Sequence, residues 1–316
     1  MRPVIAVHAG AGTWRYLRIR DVIPVIERAL RSGMDVIASG GTAVDAVVKA
    51  TIVLEDSGLL NAGLGSVVDL TGKLTMDAGV MDGETGGIGA VAAVAYPKNP
   101  VLLAKKVMEL TDHVLLAGEG ADKLAKALGM ERHPGPTERV MGRYRELLAK
   151  IREGSAVRFR KSYELALKLG WLDLHDTVGA VALDREGRLA AAVSTGGVIM
   201  KFPGRVGDSA IPGAGFYATR KGAAVATGIG EVIIKSFLTL GVIRKIESGL
   251  PAMEAAEEVI DELTRSYGRD TAGVLVVDCE GNAWASYNTE AMPWGFLRLG
   301  DRAPTIGGLP SGSEAK

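Results

Sequence analysis

The clearest candidates for chemistry are hydroxyl-bearing residues at the ends of predicted strands. Thr177 opens the apolar run of "HDTVGAVALD", residues 175–184, which is typical of a buried strand. Thr195 ends a second run in "STGG", and Thr227 ends a third in "ATGIGE". Glycines after a strand let backbone N–H groups point into a cavity, as an oxyanion hole requires. Taken singly, each position is also an ordinary strand end.

A charged pair lies between the second and third runs. The motif "GRVGDS" separates Arg205 from Asp208 by three positions in a glycine-flexed turn. An exposed ion pair of this kind contributes little to stability. Alternatively, the two side chains bind the charges of an amino acid, with the guanidinium on its carboxylate and the carboxylate on its ammonium group. Both interpretations stay open on these residues alone.

Other catalytic patterns receive no support from the sequence. The four histidines do not share a metal-ligand spacing, and no G-x-S-x-G elbow occurs. The motif "HAGAG" does not continue into the G-x-G-x-x-G fingerprint of dinucleotide-binding proteins. A single cysteine, Cys279, excludes an intrachain disulfide and a cysteine-based metal cluster. We therefore expect no catalytic cofactor.

Composition narrows the class of protein further. Lys plus Arg and Asp plus Glu each number 37, so net charge gives no reason to expect a nucleic-acid or membrane partner. We expect a cytoplasmic protein, because no charged leader precedes the first strand and no apolar run approaches about 18 residues. Gln is absent and Asn occurs only four times, which favours a thermophilic source.

The elements that must position these residues alternate along the chain. Amphipathic helices are predicted near 21–37, 41–55, 231–246 and 252–267, the second with a capping box at Thr42. Strands enclosed by helices in both halves predict an α/β fold, one layered αββα domain over residues 1–316. Segment 131–168, with ten basic and five acidic residues, opens a predicted linker that runs to about 176. A solvated helix or loop is the alternative to a partner-binding basic segment there.

The motifs match a family when they are taken in order. "HDTVGAVALD", "STGG", "GRVGDS", "GAG" and "ATGIGE" together resemble the plant-type asparaginases and isoaspartyl peptidases, which are N-terminal nucleophile hydrolases related to glycosylasparaginase. The resemblance extends upstream to "HAGAG", "GGTAVDAVVKATIVLEDSGLLNAGLGS" and "MDG" and covers most of the chain except the linker. It implies a four-layer αββα sandwich.

The resemblance also implies a mechanism. The precursor would cut itself between Asp176 and Thr177 into 1–176 and 177–316, and so give Thr177 a free α-amine. That amine has a pKa suited to a general base near neutrality, and the hydroxyl becomes the nucleophile. The expected reaction is hydrolysis of the side-chain amide of L-asparagine and of the isopeptide bond in β-aspartyl dipeptides, through an acyl-enzyme.

Other roles carry over by position. Thr195 supports the nucleophile and Asn61 lies near it, while Thr227 and Gly228 match the oxyanion donors and also contact substrate. Arg205 and Asp208 match the pair that holds the substrate's α-carboxylate and α-ammonium group. Gly230 matches a residue whose backbone contacts the substrate. Several family members bind a structural sodium ion through backbone carbonyls, which correspond here to those of Leu54, Glu55, Leu60, Ala62 and Leu64. A homodimer of αβ units is expected.

Three residues depart from the family pattern. Asp176 replaces the usual Gly before the nucleophile and resembles glycosylasparaginase. Ile229 stands where many members have His, and Ala9 stands where the motif "HGG" has Gly. Two alternatives remain open: hydrolysis of glycan-linked asparagine, and an uncleaved, non-catalytic protein whose basic segment 131–168 binds a partner.

Overall fold

A computed structural model describes residues 2–12, 14, 19–152, 174–175 and 177–310. Its helices are α1 (Ile19–Ala38), α2 (Ala43–Asp56), α3 (Pro100–Leu110), α4 (Gly118–Ala127), α5 (Glu138–Arg152), α6 (Gly230–Ser236), α7 (Leu238–Glu247) and α8 (Ala252–Tyr267). Its strands are β1 (Val4–His8), β2 (Met76–Asp82), β3 (Ile88–Val94), β4 (Leu115–Ala117), β5 (Leu174–His175), β6 (Val178–Leu183), β7 (Leu189–Thr195), β8 (Val198–Ile199), β9 (Phe216–Ala218), β10 (Gly222–Gly228), β11 (Ala272–Asp278), β12 (Ala283–Tyr287), β13 (Trp294–Arg298) and β14 (Thr305–Gly307). The chain is therefore a mixed α/β structure.

The strands form two main sheets. The larger has the order β14-β13-β1-β6-β7-β2-β3-β4, and the smaller has the order β12-β11-β10-β9. β5 and β8 form a separate short pair. Neighbours run antiparallel except β3 and β4, which are parallel. The centre of the larger sheet is thus built from β1, β6, β7 and β2, which come from both halves of the chain.

Three large clusters of buried apolar side chains pack against the two sheets in the described part of the chain, and a smaller fourth cluster includes Leu70 and Met200. The first packs the larger sheet against α1 and α2 and includes Leu30 and Leu54. The second joins the two sheets, with Phe216 of β9 and Val181 of β6 among its members. The third packs the smaller sheet against α7 and α8 and includes Ile243. Each sheet therefore buries apolar side chains on both of its faces.

β1 illustrates why the central strands are apolar throughout. Ile5 and Val7 belong to the first cluster, whereas Val4 and Ala6 belong to the second. Successive side chains of a strand point to opposite faces, so a strand that is buried on both faces needs an unbroken apolar run. The same reasoning explains the runs in β6 and β7, all of whose residues are buried.

Several predicted elements are confirmed with their local signals. α1 covers the predicted helix at 21–37, and α2 matches the one predicted at 41–55 except that it begins at Ala43. The capping box is present: Thr42 Oγ1 accepts from the Asp45 N–H at 3.1 Å, and Asp45 Oδ2 accepts from the Thr42 N–H. None of the helices within the described residues is long and apolar enough to cross a membrane.

The single helix predicted near 231–246 is instead two helices. Phe237 separates α6 from α7 and has a left-handed backbone with φ of 48°. The break is stabilised by a neighbouring loop, because the Leu240 N–H donates to the Gly213 carbonyl at 2.9 Å and Thr239 Oγ1 donates to the Ala214 carbonyl at 3.0 Å. Such long-range partners leave no periodic signal in the sequence.

Part of the predicted linker is a helix, which is one of the forms that the sequence analysis gave for segment 131–168. α5 occupies 138–152, with Val140 buried in the first cluster and Tyr144 Oη donating to the Leu70 carbonyl at 2.9 Å. Residues 153–173 of the linker and Asp176 lie outside the described residues. β13, which the sequence analysis did not predict, pairs with β1 along the larger sheet.

Phe216 provides a test of the packing between the sheets. It is fully buried, and its ring lies against Gly79 of β2. Phe216→Ala should lower the free energy of unfolding by about 3–5 kcal/mol, because the lost ring leaves a cavity. The matched variant Phe237→Ala alters a side chain that is 51% exposed and should cost less than about 1 kcal/mol. Denaturant unfolding measures both, and equal costs would contradict this packing.

Candidate active site

Thr177 and Thr195 meet at the ends of two paired strands. β6 and β7 run antiparallel with Val178 opposite Ser194, so the residues that flank this pair are neighbours. Both threonines are buried, and Thr177 Oγ1 donates to Thr195 Oγ1 at 3.0 Å. The Gly197 N–H also donates to Thr195 Oγ1, at 2.9 Å. Thr195 therefore holds the Thr177 hydroxyl and is itself held by the turn that follows β7.

Asn61 fastens that turn. Its Nδ2 donates to the Gly197 carbonyl at 2.7 Å, and its Oδ1 accepts from the Val67 N–H at 3.0 Å. The Gly196 N–H donates to the Asn61 carbonyl at 3.0 Å. Asn61 thus lies beside the turn that carries the Thr195 hydrogen bond, and Thr195 contacts Thr177.

Thr227 reaches the same region from the smaller sheet. It is fully buried at the end of β10, and its Oγ1 accepts from the Ala11 N–H at 3.0 Å. Gly10 lies between the two sheets: a Cβ at that residue would be 3.0 Å from the Thr177 carbonyl oxygen and 4.0 Å from Thr227 Oγ1. The structure therefore brings the three predicted threonines together around the turn that follows β1.

The backbone conformations of Gly228 and Ala9 show which residue types these positions accept. Gly228 has φ of 134° and lies directly against the backbone of Thr271 and Ala272, so a side chain has neither space nor a relaxed conformation there. Ala9 is not among the described non-glycine residues with positive φ, and its N–H donates to the Pro293 carbonyl at 2.9 Å. Its replacement of the family glycine is therefore accommodated without left-handed strain.

Arg205, Asp208 and Gly230 form the second part of the site. A Cβ at Gly230 would be 2.6 Å from Arg205 Nη2 and 2.8 Å from Asp208 Oδ1. The Arg205 side chain is 14% exposed and Asp208 is 3% exposed. This burial rules out the interpretation of the two residues as a surface ion pair.

The ion pair of Arg205 differs from the one that the sequence suggests. Its Nε donates to Glu231 Oε1 at 3.0 Å and its Nη2 donates to Glu231 Oε2 at 3.2 Å. Asp208 Oδ2 has no hydrogen-bond partner among the described residues. The guanidinium is thus already engaged on one edge, while a buried carboxylate oxygen next to it is left for another donor.

The electrostatics of Asp208 follow from this arrangement. Burial raises the pKa of Asp208 to about 7, and Arg205 offsets part of that increase. Asp77 and Glu231 raise the pKa further because they are negatively charged. Asp77 is fixed in place, since it accepts from the Gly207 N–H at 2.9 Å and from the Ala93 N–H at 2.8 Å. A bound cation would favour the ionised form of Asp208.

Sequence reasoning missed Lys201 and gave no role to Glu231. Lys201 is almost fully buried, and its Nζ donates to the carbonyls of Thr75 at 2.8 Å and Gly196 at 2.9 Å. A basic residue inside the apolar stretch "GGVIMKF" was the available signal. Glu231 ends the quoted motif "ATGIGE", and only the fold reveals its partner.

The loop predicted to bind sodium is compact. Three of its five predicted carbonyls accept hydrogen bonds within the loop: Leu54 from Ser57, Leu60 from Ala62, and Ala62 from Gly65. A carbonyl oxygen has two lone pairs, so these contacts are compatible with a bound cation. No cluster of three or more His, Cys, Asp or Glu side chains suited to a metal occurs in the described part of the chain.

Glu55, in the last turn of α2, is tied to the site by its side chain. It accepts from Ser194 Oγ at 2.6 Å, from the Val101 N–H at 3.1 Å and from Asn99 Nδ2 at 2.9 Å. Burial raises the pKa of Glu55 to about 8, although these donors favour its ionised form. Since Ser194 precedes Thr195, Glu55 connects the end of β7 with α2 and the start of α3.

The amino-acid sequence is similar to those of known amidohydrolases over nearly its whole length. The family model described as asparaginase matches residues 1–305. The chain is 47% identical to a plant-type L-asparaginase of Pyrobaculum calidifontis, covering 94% of this chain and 97% of that relative. It is 43% identical to a plant-type L-asparaginase of Pyrococcus furiosus, covering 96% and 99%, and the archaeal relatives agree with the predicted thermophilic source. An isoaspartyl peptidase of Escherichia coli is 40% identical, covering 97% and 96%. A family match over nearly the whole chain, together with the ordered motifs, means that the chain belongs to the asparaginase family.

Proposed function

We propose that this hydrolase cleaves the side-chain amide of L-asparagine and the isopeptide bond of β-aspartyl dipeptides, with Thr177 as its nucleophile. The observation that carries the proposal is the 3.0 Å hydrogen bond between the hydroxyls of Thr177 and Thr195. The turn that holds Thr195 lies next to the largely buried Arg205, which is close to the buried Asp208. The relatives named L-asparaginase and isoaspartyl peptidase support the same reaction.

The nucleophile becomes active through self-cleavage. Thr177 Oγ attacks the carbonyl carbon of Asp176, the peptide C–N bond breaks, and an ester links the two residues while the amine of Thr177 takes a proton. Water then hydrolyses the ester, leaving a carboxylate on Asp176 and a free hydroxyl on Thr177. The products are the segments 1–176 and 177–316.

Catalysis then needs a base close to the hydroxyl. The free α-amine of Thr177 has an ordinary pKa of about 7.7–8.0, so near neutrality a useful fraction is able to accept the hydroxyl proton. The hydroxyl attacks the β-carbonyl of the substrate, and ammonia or an amino acid leaves with that proton. Water subsequently hydrolyses the acyl-enzyme. Thr195 orients the Thr177 hydroxyl before it attacks.

Recognition uses the buried charges. The Arg205 guanidinium binds the α-carboxylate of the substrate, and Asp208 binds the α-ammonium group through its unpartnered oxygen. Thr227 accepts from the Ala11 N–H, so its own hydroxyl proton is directed elsewhere and suits a developing oxyanion. Gly228 supplies a backbone donor beside it, and Gly230 lines the pocket.

The larger organisation is part of the proposal. Three buried clusters between helices and two sheets support a four-layer αββα sandwich. Family resemblance supports a homodimer of αβ units and a sodium ion at the loop 54–64, which would hold the segment that carries Asn61. A single cysteine, Cys279, suits a reducing compartment such as the cytoplasm.

One residue favours a second candidate substrate. Asp176 precedes the nucleophile, as in the resemblance to glycosylasparaginase, which supports glycan-linked asparagine as an alternative. The leaving group is then a glycosylamine instead of ammonia or an amino acid, while the aspartyl portion that Arg205 and Asp208 bind is unchanged. A glycan-linked asparagine assayed beside L-asparagine separates the two candidates.

The first prediction concerns the nucleophile. Thr177→Ala should remain a single chain of 316 residues and hydrolyse nothing, because no hydroxyl remains to attack. Thr177→Ser should cut and turn over more slowly, since its hydroxyl lacks the methyl group that restricts the rotamer. Intact mass and ammonia release measure both, with Thr305→Ala as the matched control in an exposed part of β14. Normal cutting of Thr177→Ala would disprove the mechanism, and an uncut wild-type chain would indicate a non-catalytic protein.

The second prediction concerns the pocket wall. Gly230→Ala places a methyl group 2.6 Å from Arg205 Nη2 and 2.8 Å from Asp208 Oδ1, so both groups must shift. We expect KM for L-asparagine to rise about tenfold or more, as for the loss of a charged hydrogen bond. The matched variant Gly120→Ala adds a methyl group with no neighbour within 4 Å and should leave KM unchanged. An unchanged KM in Gly230→Ala would remove Arg205 and Asp208 from the substrate site.

The third prediction concerns substrate choice. L-asparagine and β-aspartyl dipeptides should both be hydrolysed, because Arg205 and Asp208 hold the aspartyl portion and not the leaving group. An α-aspartyl dipeptide has no free α-carboxylate for Arg205, so its kcat/KM should be at least about a hundredfold lower. Glutamine should also be poor, since an extra methylene displaces its carbonyl from Thr177. Comparable rates on α- and β-linked dipeptides would refute these roles.

A further inference from the structure

Glu231 engages one edge of the Arg205 guanidinium and leaves the other edge available. The Nε and Nη2 atoms of Arg205 donate to the two carboxylate oxygens of Glu231 at 3.0 and 3.2 Å. A guanidinium carries five N–H donors in a fixed fork, so a second two-point contact remains possible through Nη1 and Nη2. The contact with Glu231 therefore decides which edge a carboxylate ligand meets.

The available edge is directed at the reactive end of the site. Arg205 Nη1 lies 3.2 Å from the position that a Cβ would take at Gly197, and 2.8 Å from the corresponding position at Gly207. Gly197 belongs to the turn whose N–H donates to Thr195, the partner of the Thr177 hydroxyl. The Nη1 end of the guanidinium thus faces the turn next to the nucleophile, and the Nε end faces Glu231.

Charge alone would not keep Arg205 in this orientation. Asp208 and Asp77 also attract the guanidinium electrostatically. Movement of Arg205 onto Asp208 would consume the oxygen that has no other partner and would neutralise the carboxylate needed for an ammonium group. The two-point contact with Glu231 opposes that movement, because it fixes both the position and the plane of the guanidinium.

We propose that Glu231 is a positioning residue for substrate recognition, which holds Arg205 away from Asp208 so that the two can bind an α-carboxylate and an α-ammonium group separately. This inference rests on the proposed function, since it concerns the same site. Glu231 acts through Arg205, at the Nε edge, and its side chain is 41% exposed. It lies in the first turn of α6, immediately after Gly230, so the wall of the pocket and the support for Arg205 are adjacent in sequence.

The geometry distinguishes positioning from competition. If Glu231 occupied the place of the substrate carboxylate, it would have to leave before binding, and its removal would lower KM. If it holds the opposite edge, its removal lets Arg205 turn toward Asp208, and KM rises. The two roles therefore predict changes of opposite sign.

The experiment compares Glu231→Gln, Glu231→Asp and Glu258→Gln with the wild-type enzyme. Glu258 pairs with Lys245 at 2.8 Å on the surface of α8, so its variant removes one charge and one ion pair far from the pocket. Steady-state kinetics with L-asparagine give KM and kcat, calorimetry gives the Kd of the product L-aspartate, and intact mass gives the extent of self-cleavage.

For Glu231→Gln we expect KM and the Kd of L-aspartate to rise together by about tenfold or more, with a much smaller change in kcat and normal cutting. Glu231→Asp, which keeps the charge on a shorter side chain, should lie between this variant and the wild type, and Glu258→Gln should match the wild type. Unchanged or lower KM and Kd in Glu231→Gln would overturn the inference. Equal losses in cutting, kcat and KM would also overturn it, because they indicate a structural role.

Failure of the proposed function has a different signature. A wild-type enzyme that releases no ammonia from L-asparagine refutes the function, whereas the Kd of L-aspartate still reports on Glu231. If the wild type and Glu231→Gln bind L-aspartate equally, or if neither binds it, the positioning role is wrong whatever the hydrolysis assay gives.

Discussion

The antiparallel pairing of β6 with β7 is the contact on which the rest of the site depends. It places the first residue before β6 beside the last residue of β7, so Thr177 and Thr195 come within 3.0 Å although 18 positions separate them. The second sheet packs over the same strand ends and brings Thr227 to the turn after β1. Strand register is difficult to change when both faces are buried, because a slip of one residue exchanges the faces. The core therefore fixes the geometry of the hydroxyl groups.

The packing of the two sheets around the site buries several charged side chains. Asp208 and Lys201 are almost completely buried, and a buried charge is unfavourable unless hydrogen bonds or opposite charges compensate it. Lys201 is compensated in part by two carbonyls, one of them in the turn after β7. Asp208 keeps an oxygen without a partner, which is a deficit that a cationic ligand could fill. The proposed pocket for an amino acid gives this oxygen a partner that folding alone does not supply.

The sequence predicted those features that depend on local signals. The α2 capping box, the apolar strands and the order of the motifs were all visible, and the structure brings Thr177, Thr195 and Thr227 into one region. Features that depend on distant partners were not predictable. The left-handed break at Phe237 depends on carbonyls of another loop, and α5 is held by contacts with Leu70 and the first core cluster.

The ion-pair partner of Arg205 is another feature that the sequence could not predict, because it depends on a residue distant in the chain. Spacing in the sequence suggested Asp208, which is three residues away, whereas the fold brings in Glu231 from the start of α6. Asp208 is turned into the pocket next to Gly230, so its proximity in sequence does not become a hydrogen bond. Sequence spacing identifies which charges are close to one another, but in a loop without periodic structure it does not determine their pairing.

The proposed chemistry also has to explain how a hydroxyl is activated without histidine. His8 lies at the end of β1, next to the turn around which the threonines meet, but burial lowers its pKa to about 3. Its Nδ1 accepts from the Gly10 N–H at 3.3 Å, and Gly10 in turn lies against the Thr177 carbonyl. His8 thus supports the backbone next to Thr177, and a neutral ring is sufficient for that contact. On the proposed mechanism the proton acceptor is the α-amine of Thr177, which has to be created by the cut at Asp176. Maturation and catalysis then share one residue, and a chain that folds correctly but stays uncut would have the hydroxyl in place and no base to activate it.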